Sequence, residues 1–197
     1  LRKIMAKENR EDSYLGNRLL KPTNVPQQFT KHEVEEYVKC RNDIVYFLKN
    51  YVKVIHVDHG LIPFDLYDYQ QDLIQTLEEH RYVIVKSARQ SGKSVTSLGY
   101  ILHYVLFNQT KIVGMLANKA STSRELLGRL QTAYQHLPKF LQQGIVEWNK
   151  GNIELENGSK IIASSTSSSA IRGYSFSLLF LDEFAFVQRT IADAFIK

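Results

Sequence analysis

One segment of the chain, residues 83–94, restricts its possible folds more than any other. An apolar run at its start predicts a short strand over residues 82–86, a loop follows, and Gly92-Lys93-Ser94 opens a helical pattern. In this order, the N–H groups of the loop and of the helix N-terminus bind phosphate, the lysine adds a full charge, and the serine hydroxyl can ligate Mg²⁺. The segment therefore predicts a phosphate-binding loop.

A second segment, residues 178–183, supplies what such a loop needs. Four apolar residues predict a buried strand, which ends in Asp182 and Glu183. The first carboxylate would hold the Mg²⁺ shell, and the second would orient and deprotonate the water that attacks the γ-phosphate. Each segment alone has a simple structural explanation, and Ser87 stands where a phosphate loop usually has a further glycine. Together, with strands and helices alternating between them, they predict a P-loop core that hydrolyses a nucleotide.

The composition narrows the class of protein. The 197 residues contain no apolar run of membrane-spanning length and no signal-peptide pattern, so we expect a soluble protein with no membrane partner. Cys40 is the only cysteine, which excludes a disulfide scaffold and a cysteine zinc site and fits a reducing compartment. The net charge of +5 permits contact with nucleic acid without requiring it. The first residue, Leu1, suggests an excised or processed fragment.

The amino-terminal part, residues 1–63, is predicted to be an arm followed by a small helical subdomain. Residues 1–29 are polar and rich in charge, which is typical of an arm. Thr30 and Glu33 form a capping box, from which an apolar stripe predicts one helix of five or six turns. The stripe comprises Val34, Val38, Arg41, Val45, Leu48 and Val52.

Residues 54–63 predict a strand and a turn around Gly60. His56, Asp58 and His59 in this segment suggest a metal site. A polar loop explains them better, because neither a fourth ligand nor a helical spacing supports metal binding.

The remaining residues, 64–197, are predicted to form the ATPase core. A helix is expected over residues 64–80, and the segments after it alternate. Further helices are predicted over 94–107 and 122–137, and strands over 111–117, 145–148, 153–156 and 160–163, the last two joined by an Asn-Gly turn. We predict an α/β fold: a P-loop NTPase core with a mainly parallel sheet flanked by helices on both faces, an added antiparallel hairpin and a small amino-terminal helical subdomain.

Phosphoryl transfer also needs a cation near the charge that develops in the transition state. The sequence offers two candidates: Arg89, inside the phosphate loop, and Arg172, which precedes Gly173 and the acidic strand. Either could instead be a surface arginine, and their positions in the sequence do not decide between them.

Several segments together resemble the large terminase subunit of T-even-type tailed bacteriophages, a DNA-packaging motor. They are residues 37–47, 66–70, 89–94 and 141–151 and the Asp-Glu pair that ends at Glu183. The resemblance covers roughly residues 30–186 and corresponds to the amino-terminal ATPase region of that subunit. The segments around Gln70 and Trp148 are more specific than the nucleotide motifs, so they distinguish this family from other ATPases.

The resemblance implies how the nucleotide is bound. Tyr69 and Gln70 match the adenine-recognising Q motif, and the Gln70 amide has the donor and acceptor needed to read an adenine. The phosphate loop matches the Walker A motif. Its nucleotide-binding residues would be Ser87, Ala88, Arg89, Gln90, Ser91, Gly92, Lys93 and Ser94.

The resemblance also implies catalytic roles. Asp182 and Glu183 match the Walker B motif, as the metal carboxylate and the catalytic carboxylate, and Ser94 with Asp182 would bind the metal. Arg89 matches an arginine that acts within one subunit. Arg172 lies where related motors place an arginine that reaches a neighbouring subunit. Both arginine assignments remain open.

For the whole protein, the resemblance implies ATP and Mg²⁺ as cofactors and translocation of double-stranded DNA into a procapsid. The implied partners are the DNA, the portal protein, the small terminase subunit and further copies of the subunit in a ring. The implied location is the host cytoplasm, at the procapsid portal during assembly and not in the mature virion. The family's coupling motif and nuclease domain follow the matched region, so we expect the chain to end before both and to hydrolyse ATP slowly or not at all by itself.

Two alternatives compete with this interpretation. A helicase-like DNA-dependent ATPase of the DEAD-box class also has a Q motif and an Asp-Glu pair, but here Phe184-Ala185 follows the pair. A non-hydrolysing P-loop module that only binds nucleic acid would not need Lys93, Asp182 and Glu183, and all three are present.

Overall fold

The computed structural model describes residues 13–56, 58–166 and 173–187. The α-helices are α1 (Lys31–Asn42), α2 (Ile44–Tyr51), α3 (Asp68–Glu79), α4 (Lys93–Phe107) and α5 (Ala120–Gln135). The strands are β1 (Lys53–His56), β2 (Gly60–Pro63), β3 (Ile112–Ala117), β4 (Ile145–Trp148), β5 (Asn152–Leu155), β6 (Lys160–Ser165) and β7 (Leu178–Asp182). Short 3₁₀ turns follow at Lys139–Leu141 and Phe184–Phe186.

Five strands form a mixed sheet in the order β4-β5-β6-β3-β7. Strand β3 is parallel to both β6 and β7, whereas β4–β5 and β5–β6 are antiparallel pairs. The prediction of a mainly parallel sheet is therefore only partly right, because two of the four strand pairs, β4–β5 and β5–β6, are antiparallel. The hairpin predicted from Asn157-Gly158 is confirmed, and Gly158 has a φ of 79°. Strands β1 and β2 pair antiparallel as a separate two-stranded sheet.

The strand predicted over residues 82–86 is wrong. Residues 83–88 have no regular secondary structure, and the side chain of Ile84 is 97% exposed. An apolar run becomes a strand only where a neighbour pairs with its backbone. Within the part of the chain that the structure describes, this segment pairs with no strand, and β7 has β3 as its one neighbour.

The single long helix predicted after Thr30 is also wrong, because the chain breaks at Asp43. Thr30 and Glu33 do form the predicted capping box of α1. Asp43 then leaves the helical region, with φ −136° and ψ 104°, and its Oδ1 accepts a hydrogen bond from the Tyr46 N–H at 2.8 Å. Asp43 thus ends α1 and caps α2, as aspartate does at many helix starts.

The break changes which side chains of α1 are buried. Val34 and Val38, from the predicted stripe, are each 49% exposed, whereas Glu36 and Cys40 are buried. The stripe holds in α2, where Leu48 is buried. A stripe that is continuous in the sequence therefore lies on two helices with different orientations.

Helix α5 joins the helical layer to the sheet. It packs on β3 and β6, and α4 packs on α5. The helix predicted over residues 122–137 has an apolar face, and the residues of this face are buried, namely Leu126, Leu127, Leu130, Tyr134 and Leu137. Tyr134 also contacts Trp148 of β4, with ring centroids 5.3 Å apart. One hydrophobic core includes residues from α1, α2, α4, α5 and the sheet, and the domain boundary near residue 63 stays a prediction.

The parallel strands place the predicted acidic residues at the carboxyl ends of the strands. Ala117 of β3 is in register with Ser165 of β6 and with Asp182 of β7, so the three strands end together. Ligands of α/β proteins bind at this carboxyl edge. Helix α4 also begins at this end of the strands, as the contact between Ser94, its second residue, and Asp182 shows.

Two further sequence expectations concern metals and membranes. His56 and His59 stack with centroids 4.8 Å apart, and His56 Nδ1 accepts the Asp58 N–H at 3.1 Å. In residues 13–56, 58–166 and 173–187 no group of three or more His, Cys, Asp or Glu side chains is arranged to hold a metal ion. None of the helices in these same ranges is long and apolar enough to cross a bilayer.

Candidate nucleotide site

The site begins at the turn that leads into α4. Gly92 is the N-cap residue, with φ 75°, and Gln90 also has a positive φ of 61°. The Gly92 carbonyl accepts hydrogen bonds from the Thr96 N–H at 2.9 Å and from Thr96 Oγ1 at 3.1 Å, which fixes the first turn of the helix. The N–H groups at this helix start have no partner within the helix and are available to an anion.

Ser91 holds the loop together. Its Oγ lies 3.0 Å from the Ala88 carbonyl oxygen and 3.1 Å from Ser87 Oγ. These contacts curl residues 87–91 into a compact turn although the usual first glycine is absent. The predicted nucleotide-binding residues 87–94 are thus adjacent in space as well as in sequence.

Glycine at position 92 suits the close packing of the turn as well as its positive φ. A Cβ at this position would collide with the side-chain amide of Gln70. Gln70 is only 4% exposed, and its Oε1 accepts the Tyr67 N–H at 3.0 Å. The start of α3 therefore packs, through Gln70, directly against the predicted phosphate-binding residues 87–94, which we call the phosphate turn.

Tyr69 makes a second link between α3 and the turn. Its hydroxyl donates to the Ser91 carbonyl at 2.8 Å. Its ring is stacked on that of Tyr67, and both rings remain largely exposed. Sequence reasoning included Tyr69 and Gln70 and missed Tyr67, for which the spacing of two tyrosines before a glutamine was the available signal.

The turn and the acidic strand meet at Ser94 and Asp182. Ser94 Oγ lies 3.4 Å from Asp182 Oδ1, although the two residues are 88 positions apart. This separation is long for a hydroxyl–carboxylate hydrogen bond. It is close to that of two adjacent oxygen ligands of an octahedral Mg²⁺, about 3 Å. The pair thus fits a small hard cation.

The electrostatics of Asp182 support the same conclusion. Burial raises the pKa of its carboxyl above the ordinary value, the neighbouring Glu183 raises the pKa further, and Lys93 and Ser94 act in the opposite direction. Burial and the second carboxylate thus disfavour the ionised form of Asp182 more than Lys93 and Ser94 favour it. A divalent cation would supply that charge and favour the ionised form.

Glu183 follows β7 directly and has an unusual backbone. Its φ of 51° is in the left-handed region, and its carbonyl accepts the Phe186 N–H at 3.0 Å. A non-glycine residue held in this conformation is strained, and such strain is often found at functional sites. Strand β7 thus ends in a turn at Glu183. The side chain of this residue, the predicted catalytic carboxylate, is exposed.

The structure describes one of the two candidate arginines. Arg89 lies in the phosphate turn and is exposed. Arg172 lies outside the described residues. The choice between the two arginines stays a prediction, as do the individual roles of Tyr69, Gln70, Lys93, Ser94, Asp182 and Glu183.

The fold described above is similar to that of a known large terminase. The chain superposes on the crystal structure of the HK97 bacteriophage large terminase with a TM-score of 0.63 and 20% sequence identity. The match covers 79% of this chain and 34% of that chain, so the chain spans about a third of the HK97 protein.

A family comparison identifies the chain more closely. Residues 84–192 match the family described as terminase large subunit, T4likevirus-type, N-terminal. The chain belongs to this family, and the resemblance inferred from the sequence is confirmed. The matched region includes the phosphate turn and the Asp-Glu pair.

Proposed function

We propose that the chain is the ATPase motor part of a viral large terminase subunit and that it powers the movement of double-stranded DNA into a procapsid. The proposal rests on the contact between Ser94 and Asp182, which joins the phosphate turn to the acidic strand in a chain of this family.

In this proposal, the N–H groups at the start of α4 and the Lys93 ammonium bind the phosphates of ATP. Ser94 and Asp182 hold Mg²⁺, which when bound neutralises charge on the phosphate oxygens. Glu183 orients the attacking water and accepts its proton. Arg89 or Arg172 would stabilise the negative charge that develops on the transferred phosphoryl group.

The proposed partners follow from the family and not from the fold alone. They are double-stranded DNA, the portal protein, the small terminase subunit and further copies of the subunit in a ring. The proposed location is the procapsid portal in the host cytoplasm during assembly. The family match argues against the DEAD-box alternative.

Binding of Mg²⁺-ATP to the chain tests the first part of the proposal. At 100 times the dissociation constant, ATP would stabilise the folded chain by about 2.7 kcal/mol, measured as a shift of the thermal unfolding midpoint. Lys93→Ala is expected to lose this shift, because it removes the full charge at the turn. Lys31→Ala is the matched control, since Lys31 is an exposed lysine of α1. Equal shifts for both variants would contradict the proposed site.

Hydrolysis tests the second part. In the full-length protein, Glu183→Gln should retain ATP binding and lose at least a hundredfold in DNA-stimulated hydrolysis, because general-base catalysis contributes about that much or more. Hydrolysis that is unchanged in this variant would overturn the role of Glu183. A wild-type protein that binds ATP but never hydrolyses it would favour the non-hydrolysing module instead.

A further inference from the structure

Two tyrosine rings lie exposed beside the phosphate turn. The rings of Tyr67 and Tyr69 have centroids 5.6 Å apart and planes within 9° of parallel. Tyr67 is 67% exposed and Tyr69 is 51% exposed. Neither ring belongs to the hydrophobic core. The pair therefore presents flat aromatic surface to solvent.

The pair is held in a fixed position relative to the turn. The Tyr69 hydroxyl donates to the Ser91 carbonyl, one residue before Gly92. The Tyr67 backbone is fixed as well, because its N–H donates to Gln70 Oε1 and its carbonyl accepts from the Gln70 N–H at 3.0 Å. The Tyr69 ring and the Tyr67 backbone are thus both fixed beside the turn, and the stacking contact joins the two rings.

The chemistry of the rings defines what they could bind. A flat heterocycle can stack on a tyrosine face, and such stacking does not depend on the identity of the base, because every base has a π-face. The adjacent turn is suited to phosphate. A ligand that has a flat heterocycle at one end and a phosphate chain at the other matches both surfaces, and a nucleoside triphosphate is of this class.

We propose that the Tyr67–Tyr69 ring pair is a stacking platform for the base of the nucleotide whose phosphates bind the turn, with Tyr67 as an additional base-binding residue. This inference rests on the proposed function of the site. It goes beyond it by assigning the base contact to a residue outside the Tyr69-Gln70 pair.

The state of Gln70 limits the alternative way of holding the base. Its Oε1 is already bonded to the Tyr67 N–H, and its amide group lies against Gly92. An amide that is buried in this way, with one hydrogen bond already accepted by its oxygen, has less capacity left to read a base. We therefore expect Tyr67 to contribute to the binding of ATP and GTP alike.

Replacement of the Tyr67 ring tests the platform. Isothermal titration of the 197-residue chain would compare Mg²⁺-ATP, Mg²⁺-GTP and inorganic tripolyphosphate. Tyr67→Leu should weaken ATP and GTP binding by about tenfold each, the usual loss for one base–aromatic stack. Tripolyphosphate has no base, so its affinity should change less than twofold. Tyr67→Phe keeps the ring and should bind all three ligands like the wild type.

Tyr174→Leu is the matched control. Tyr174 is similarly exposed and lies 5.6 Å from the ring of Phe176, but it precedes β7 and so lies at the opposite end of that strand from Asp182. The inference is overturned if Tyr67→Leu leaves ATP binding unchanged. It is also overturned if tripolyphosphate binding falls in parallel, since Tyr67 would then only position the turn. A wild-type chain that binds none of the three ligands would overturn the nucleotide site itself, and the platform with it.

Discussion

At the scale of single residues, the site combines charge with limited solvation. Asp182 is buried at the end of β7, Glu183 follows it, and the charge of Lys93 lowers the Asp182 pKa. Without a bound cation, the ionised form of Asp182 is less favourable in the folded chain than in water. Nucleotide binding and stability therefore place opposite demands on this carboxylate, as at many functional sites.

Asp182→Asn should separate these two demands. Because the folded-state pKa of Asp182 is raised, its contribution to stability is greatest at low pH and is lost as the pH rises through that pKa. The asparagine variant avoids the loss, so its thermal midpoint without ligand should exceed that of the wild type at pH 7. The difference should disappear as the pH falls below the ordinary value of 3.8. The same variant should lose the stabilisation by Mg²⁺-ATP.

Asp72→Asn provides the comparison for this experiment, because Asp72 is an exposed carboxylate of α3. It should change neither the midpoint at pH 7 nor the effect of Mg²⁺-ATP. If Asp182→Asn lowers the midpoint at pH 7, the carboxylate is stabilised by contacts other than those described above.

At the scale of elements, the pair α1–α2 is organised around a buried carboxylate. Glu36 of α1 accepts hydrogen bonds from Lys39 Nζ at 2.7 Å, from the Tyr51 hydroxyl at 2.5 Å and from the Tyr46 hydroxyl at 2.8 Å. These bonds, that of Lys39 first, lower the pKa of Glu36 to about 2. Because Asp43 breaks the helix, both tyrosines of α2 can face back toward α1.

The protonation of Glu36 should be visible in the pH dependence of the free energy of unfolding. A lowered pKa contributes stability that is complete above the ordinary value of 4.5 and is lost as the pH falls toward 2. Relative to the wild type, Glu36→Gln should therefore be destabilised at pH 7, and the difference between the two should narrow between pH 4.5 and 2. Urea unfolding of both proteins at several pH values measures this difference in stability. Glu35→Gln, at an exposed neighbour on the same helix, should show no such narrowing.

The elements also show how far the sequence could predict the fold. Strand β3 and helices α4 and α5 were predictable because their apolar patterns match their burial. Strand β7 forms as predicted, but the prediction that it is buried is wrong, because its four apolar residues are half-buried or exposed and Asp182 is its only buried residue. The break at Asp43 was not, since the apolar spacing continues across it. The failure at residues 82–86 has another cause: whether an apolar run is a strand depends on a neighbouring strand, which its own residues do not specify.

The candidate site was predictable in its two motifs and not in their surroundings. The Gly-Lys-Ser sequence and the Asp-Glu pair have few alternatives once both are present. The burial of Gln70 and the exposure of Tyr67 depend on where α3 packs. No local pattern encodes that packing, because residues of both types occur commonly at helix starts.

At the scale of the whole molecule, the described sheet has an open side. Strand β7 lies at its edge, and its outer backbone groups pair with no strand in the described ranges. Residues 83–88 add exposed apolar surface, with Ile84 almost fully exposed and Val85 and Tyr82 also exposed. Open edges and exposed apolar runs promote pairing between chains.

Self-association of the 197-residue chain should therefore increase with concentration, and Ile84→Lys should reduce it. The substitution adds a charge to the apolar run without removing a buried contact, so the thermal midpoint should stay the same. Sedimentation velocity over a hundredfold range of concentration would measure the effect. Leu15→Lys is the matched control, because Leu15 is 89% exposed and lies in the amino-terminal segment. A monodisperse wild type, or equal effects of the two variants, would contradict this prediction.

The contact between Trp148 and Tyr134 has an optical consequence. Trp148 is the only tryptophan of the chain, and it lies in β4, at the opposite edge of the sheet from β7. Its fluorescence emission therefore reports on that edge alone. Added nucleotide should leave the emission maximum where it is, whereas detachment of β4 from α5 should shift it to longer wavelength. Unlabelled protein thus contains its own probe of whether the sheet opens from that side before the rest of the chain melts.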